Sequence, residues 1–183
     1  MKILFTVAFL DGLHGSVKHV LEYSSFFASK AEKNEVFVAT IFFSDKIRKK
    51  FTDRGINVCT IDEINIENFY DIVFAYHFPV IEALLHKGLN CKKLILGSLS
   101  SFVDIETFPL WWPAASMRTV ISEECKQAHH KKYGIPLESM YVVENSIPDE
   151  FSVYPPVYKH TPPPPHTHTH IHSITPAVVC HAE

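Results

Sequence analysis

Over its first 151 residues the chain alternates short, almost wholly apolar runs with stretches of helical periodicity, a pattern that few folds accommodate. The apolar runs are residues 2–9, 35–43, 57–61, 71–76, 92–97, 118–121 and 140–144. Segments of this length, apolar at consecutive positions, read as strands buried on both faces. Between them lie 16–30, 45–54, 79–87 and 122–133, where apolar residues recur at helical spacing. In the first of these, Val17, Val20, Leu21, Ser24 and Phe27 fall on one face, as in a helix laid on a sheet. Parallel strands must be joined by crossovers, and a helix is the usual crossover. The expected class is therefore α/β: a Rossmann-like parallel sheet with helices on both faces. No internal repeat is evident.

The character of the chain changes after Phe151. Residues 152–183 hold seven of the twelve prolines and six of the twelve histidines, no glycine, and only Lys159 and Glu183 as charged groups. With Pro162, Pro163, Pro164 and Pro165 consecutive, this segment can neither continue a helix nor enter a central strand. The expected organisation is a domain over 1–151 and a low-complexity, disordered tail over 152–183. His166, His168, His170 and His172 alternate and could hold zinc or nickel loosely, but no acidic residues support them and no metal site is assigned. The abrupt change of composition suggests a truncated or frame-shifted product joined to a foreign end.

Bulk composition removes several function classes. A formal net charge of -3 and a pI near 6.4 lack the electrostatic footprint of a nucleic-acid binder, and no nucleic-acid partner is expected. Cys59, Cys91, Cys125 and Cys180 form no C-x-x-C pair, so neither a zinc site nor a disulfide framework is indicated. The apolar start, residues 1–10, is too short to span a bilayer and is followed by acidic Asp11. The expected location is the cytoplasm, with peripheral attachment at the inner membrane face left open.

In an open parallel sheet, ligands bind beyond the carboxyl ends of the strands. The first such loop is Asp11-Gly12-Leu13-His14-Gly15-Ser16-Val17. Glycines there let a backbone approach a phosphate closely, and the free N–H groups of the following helix complement its charge. A tight turn with Ser16 as the helix N-cap would give the same residues without a ligand. The spacing is G-x-x-G, not the G-x-G-x-x-G of dinucleotide sites, which disfavours an NAD-dependent oxidoreductase. No cofactor is expected.

Several ordered motifs carry a family resemblance over residues 1–151. The opening run, glycine loop and helix lead into Lys33-Asn34-Glu35-Val36-Phe37-Val38, and Gly55-Ile56-Asn57-Val58 precedes the third run. Tyr70-Asp71-Ile72-Val73-Phe74-Ala75-Tyr76-His77 ends the fourth. The most specific stretches are Thr119-Val120-Ile121-Ser122-Glu123-Glu124, Tyr133-Gly134-Ile135-Pro136 and Val142-Val143-Glu144-Asn145-Ser146-Ile147-Pro148-Asp149-Glu150-Phe151. Together they resemble the amino-terminal domain of family 4 glycosyltransferases, whose domain ends on a "V-x-S-E … G-I-P … V-I-x-N-G-I-D-x-x-F" pattern.

That resemblance implies the two-lobed GT-B fold, with the sugar acceptor on the first Rossmann-like domain and the nucleotide-sugar donor on the second. It implies a retaining, metal-independent transferase of cell-surface glycan biosynthesis, using a nucleotide-sugar donor and a glycan or lipid-linked acceptor. Substrate and phosphate contacts would fall to Gly12, His14, Gly15 and Ser16, to His77 after the fourth run, and to Ser98 and Ser100 after the fifth. No catalytic residue is assigned.

Two departures qualify the implication. Leu96-Gly97-Ser98-Leu99-Ser100-Ser101 offers hydroxyls where many members carry a histidine, and nothing in 152–183 resembles the acidic element of the second domain. The chain is therefore expected to be the acceptor half alone and inactive by itself, with a complementary donor-domain chain as one partner. The alternative is a non-enzymatic module that binds a glycan or a partner.

Other residues are read as structural. His129 and His130, flanked by Lys126, Lys131 and Lys132, are expected on a solvated helix face. Trp111 and Trp112, between Pro109 and Pro113, could stack on sugar or meet a membrane, but packing against the core or in a domain contact is favoured because Trp is highly buried on average.

Overall fold

The computed structural model describes residues 1–30, 34–106 and 112–144, the Trp112 side chain excepted. Contacts divide the chain between Met1–Ser146, to which all of these residues belong, and Ile147–Glu183, outside the described residues. The expectations for the Pro/His-rich tail and for Trp111 thus also fall outside them.

All seven apolar runs contribute strands to one sheet. In chain order these are β1 (Lys2–Thr6), β3 (Glu35–Thr40), β5 (Asn57–Thr60), β6 (Phe69–Ala75), β7 (Asn90–Ser98), β8 (Met117–Val120) and β9 (Met140–Val142). Two short strands, β2 (Phe9–Leu10) and β4 (Phe42–Phe43), pair with each other in a separate parallel ribbon. The helices are α1 (Gly15–Ala28), α2 (Asp45–Thr52), α3 (Phe78–His86) and α4 (Glu123–Tyr133). The large sheet has the order β5-β3-β1-β6-β7-β8-β9, and every pairing in it is parallel. The expected α/β class is the observed one.

Strand alternation sorts the core into two layers. Ile3 and Phe5 of β1, with Val36 and Val38 of β3, pack beneath α1 and α2 through Val17, Val20, Ile47 and Phe51. Leu4, Val73, Leu94 and Leu96 face the other way and receive Val80, Ile81 and Leu84 of α3 and Cys125 of α4. Each large aliphatic side chain removed from water contributes about 1.5–3 kcal/mol. A sheet loaded this way on both faces cannot slip register by one residue without exposing one layer.

The strand bounds differ from expectation in two informative places. The run 2–9 breaks into β1 and β2 because the Ala8 N–H turns away from the ladder and donates to His77 Nδ1 at 2.9 Å. The Ala8 carbonyl still accepts from the Ile41 N–H at 3.0 Å and the Thr40 hydroxyl at 2.8 Å, so the ribbon stays tied to β3. At β7 the strand starts at Asn90, two residues earlier than expected, since exposed Asn90 and half-buried Cys91 at its amino end add nothing to the apolar pattern. Helix α4 closes on Gly134 at φ 67°, a left-handed C-cap that a side chain would strain, and Ser122 caps its start by accepting from Cys125 N–H at 3.1 Å.

Candidate functional site at the carboxyl edge of the sheet

From β1 the chain runs outward through α1 and α2 to β3 and β5, then returns to lay β6 against the other side of β1. This reversal makes the β1/β6 boundary the topological switch point, and the crevice above it is where open α/β sheets receive ligands. The turn after β6 leaves from this boundary, and the chain leaving β1 is tied to it where the Ala8 N–H donates to His77 Nδ1.

The glycine loop has a geometry that the fold itself does not demand. Positive φ among glycines is confined to Gly55, Gly88 and Gly134, so Gly12 and Gly15 adopt backbone conformations open to any residue. A Cβ on Gly15 would meet nothing within 4 Å, and one on Gly12 would make only an ordinary 3.8 Å contact with the His14 ring. Open space therefore lies over the first residue of α1. That helix has neither a side-chain cap nor an acidic residue in its first turn, unlike α4 with its Ser122 cap, Glu123 and Glu124. Its orphan N–H groups and dipole end present positive potential around Gly15 and Ser16.

His14, rather than Ser16, is the N-cap residue, because the helix begins at Gly15. The half-exposed His14 ring bridges its neighbours, with Nε2 at 3.1 Å from Asp11 Oδ1 and Nδ1 at 3.2 Å from Ser16 Oγ. The hydrogen bond with His14 holds the Asp11 carboxyl below the usual carboxylate range. Exposed Asp11 and His14 and half-buried Ser16 are thus the linked polar groups of this loop.

His77 reaches the same boundary but is sealed inside it. It is 2% exposed, accepts from Ala8 N–H through Nδ1, and directs Nε2 at Glu106 Oε1, 3.4 Å away. With Nδ1 an acceptor, the hydrogen resides on Nε2. Both ring nitrogens are engaged. Glu106, in the 3₁₀ turn Asp104–Glu106, was not among the residues singled out from sequence: nothing in its local pattern marks it as buried.

Ser98 ends β7 and is 1% exposed. Its hydroxyl lies 2.8 Å from the Ser100 carbonyl, to which it donates, and 2.7 Å from His129 Nε2, from which it then accepts. Ser100 Oγ accepts from Phe102 N–H at 3.0 Å, closing the turn. His129 corrects the expectation of a solvated face: it is 1% exposed, whereas His130 is exposed as expected and lies 2.9 Å from the Ile135 carbonyl. Desolvation lowers the His129 pKa and keeps the ring neutral. The lysines around it misled the sequence pattern, since a helix that is polar overall can still turn one imidazole inward.

On the other side of the sheet, beside α1, Tyr76, His19, Tyr23, Phe74 and Ile95 line an apolar groove. His19 stacks on Tyr23 at 4.2 Å and meets Tyr76 edge-on at 4.8 Å. Gly97 lies directly under the Tyr76 ring, which occupies the place a side chain would take. No described helix is long and apolar enough to cross a membrane.

No protein-family model and no curated protein matches the chain. A solved structure of the lipopolysaccharide outer core galactosyltransferase WaaB, in its apo form, is similar, with a TM-score of 0.58 and 17% sequence identity. The match covers 80% of this chain but 46% of that one, so the chain spans less than half the length of the protein it resembles. The chain shares its fold with part of a glycosyltransferase, in keeping with the family 4-like, amino-terminal-domain resemblance that its motifs carry.

Proposed function

We propose that this chain is the acceptor-side, amino-terminal half of a retaining, nucleotide-sugar-dependent glycosyltransferase of cell-surface glycan assembly. The observation that carries this reading is the glycine loop: Gly12 and Gly15 have ordinary φ values, and the space over Gly15 is open beside an uncapped helix end. Glycines that the backbone does not need are explained by a ligand that must come close to it. Transfer from an activated sugar needs donors for the departing diphosphate, and the amides of Gly15 and Ser16 would contribute some of them. The Asp11, His14 and Ser16 cluster beside them would contact donor or acceptor hydroxyls.

One wall of a cleft does not make a transferase. The donor must be positioned and shielded from water by a second lobe, which we assign to a complementary chain or to a longer form of the protein. The domain is proposed to end near Phe151, with 152–183 a low-complexity addition. The purified chain is expected to give no turnover with a sugar nucleotide and acceptor, and transfer is expected to appear when an intact donor domain is added. Robust turnover by the chain alone would defeat the half-enzyme reading.

A second reading, a non-enzymatic module that binds a glycan or partner protein at the same edge, is favoured by one specific observation. His77 and Ser98, which sequence nominated for the site, are both buried and engaged in internal hydrogen bonds. Glycan binding that persists while every donor-domain mixture stays inactive would select it.

A further inference from the structure

We infer that Glu106 and His77 are positioning residues: through a buried relay they set the path of the glycine loop and hence its grip on phosphate. The phosphate part rests on the reading of that loop proposed above. Three segments distant in sequence meet in the relay. The Ala8 N–H, at the step from β1 to β2, donates to His77 Nδ1 at 2.9 Å, and His77 Nε2 faces Glu106 Oε1 at 3.4 Å. Both side chains are nine-tenths or more buried. Among the described residues Glu106 Oε2 is buried without a hydrogen-bond partner, and the hydrogen bond of this carboxylate is the one to His77.

The relay has a chemical logic that simple packing lacks. A neutral imidazole exists as two tautomers, and only the one with its hydrogen on Nε2 offers a lone pair to Ala8. A carboxylate at Nε2 selects that tautomer. Loss of it would let the ring adopt the other tautomer, placing an Nδ1–H against the Ala8 N–H, donor against donor. Ala8 is the residue at which the backbone leaves the main ladder, and Gly12 follows four residues later. A shift at Ala8 is therefore carried along the ribbon into the loop.

The test compares the full chain with Glu106→Leu and Glu106→Gln, using ring nitrogen and backbone amide resonances and inorganic pyrophosphate as probe. The wild type is expected to show His77 in the Nε2–H tautomer. Glu106→Leu should weaken that preference, displace the Gly12 and Gly15 amides, and lower pyrophosphate affinity on the order of ten-fold, the scale of one hydrogen bond to a charged group. Glu106→Gln retains an oxygen acceptor and should restore most of the amide positions and affinity. If the wild type carries its hydrogen on Nδ1, or if folded Glu106→Leu leaves the loop amides where they were, the relay is overturned. Should Glu106→Leu fail to fold, the wild-type tautomer and the Gln variant still decide. If pyrophosphate moves no loop amide in the wild type while Glu106→Leu displaces them, the relay stands and the phosphate reading of the loop falls.

Discussion

Gly97→Ala should destabilise the chain by roughly 2 kcal/mol, although alanine is ordinarily the better strand residue of the two. The new Cβ would lie 2.6 Å from Tyr76 Cε1, 2.7 Å from Cδ1 and 3.2 Å from Thr119 Oγ1. Carbon atoms in optimal contact are about 3.5–4.0 Å apart, so the ring must retreat by about 1 Å. It cannot do so freely, because Tyr76 is 5% exposed and packs edge-on against His19 at 4.8 Å. Overpacking of this kind costs typically about 1–3 kcal/mol. In urea, with a slope of about 2 kcal/mol per molar, the midpoint should fall by roughly 1 M. The control is the same substitution in a Tyr76→Leu background, where the obstructing ring is gone and the cost should largely vanish. An unchanged midpoint for Gly97→Ala, or an equal loss in both backgrounds, would refute the argument that the ring fills the missing side chain's place.

Two further outcomes follow from the structure. Burial lowers the His129 pKa, so the unfolded chain binds more protons in the window between that lowered value and the ordinary imidazole value of about 6.5; stability is full above this window and is lost as pH falls through it. Urea midpoints recorded on acidification should therefore fall less steeply for His129→Gln than for the wild type, and parallel curves would contradict the assignment. Deleting residues 152–183 should leave the thermal midpoint nearly unchanged if the domain ends near Phe151, and a large drop would misplace that boundary.

The parallel sheet was legible because its strands are apolar at consecutive positions, which only burial on both faces explains. The first two residues of β7, Asn90 and Cys91, escaped that reading, since a strand end that is not buried on both faces carries no such signal. The glycine loop was legible as a loop, but the choice of cap was not. Ser16 is the better capping residue by type, yet the helix opens one residue before it, and His14 takes the N-cap position. Glu106 and His129 were illegible for a different reason: their partners, His77 and Ser98, lie 29 and 31 residues away, and no local period encodes such a meeting. Sequence nominated His77 from its place at a strand end, and the geometry turns it from a group facing the crevice into one that ties two strand ends together.

The central claim, that the Gly12–Ser16 loop is a phosphate-binding edge, is tested most directly by calorimetric titration of a nucleoside diphosphate, UDP and ADP in turn, into the wild type and Gly15→Asp. A half-built site is expected to bind in about the millimolar range. A side chain at Gly15 meets open space, so the variant should fold with stability within about 1 kcal/mol of the wild type, while its carboxylate occupies the position claimed for phosphate. The account predicts measurable binding to the wild type and none to folded Gly15→Asp; binding undiminished by the substitution, or absent from both proteins, would contradict it.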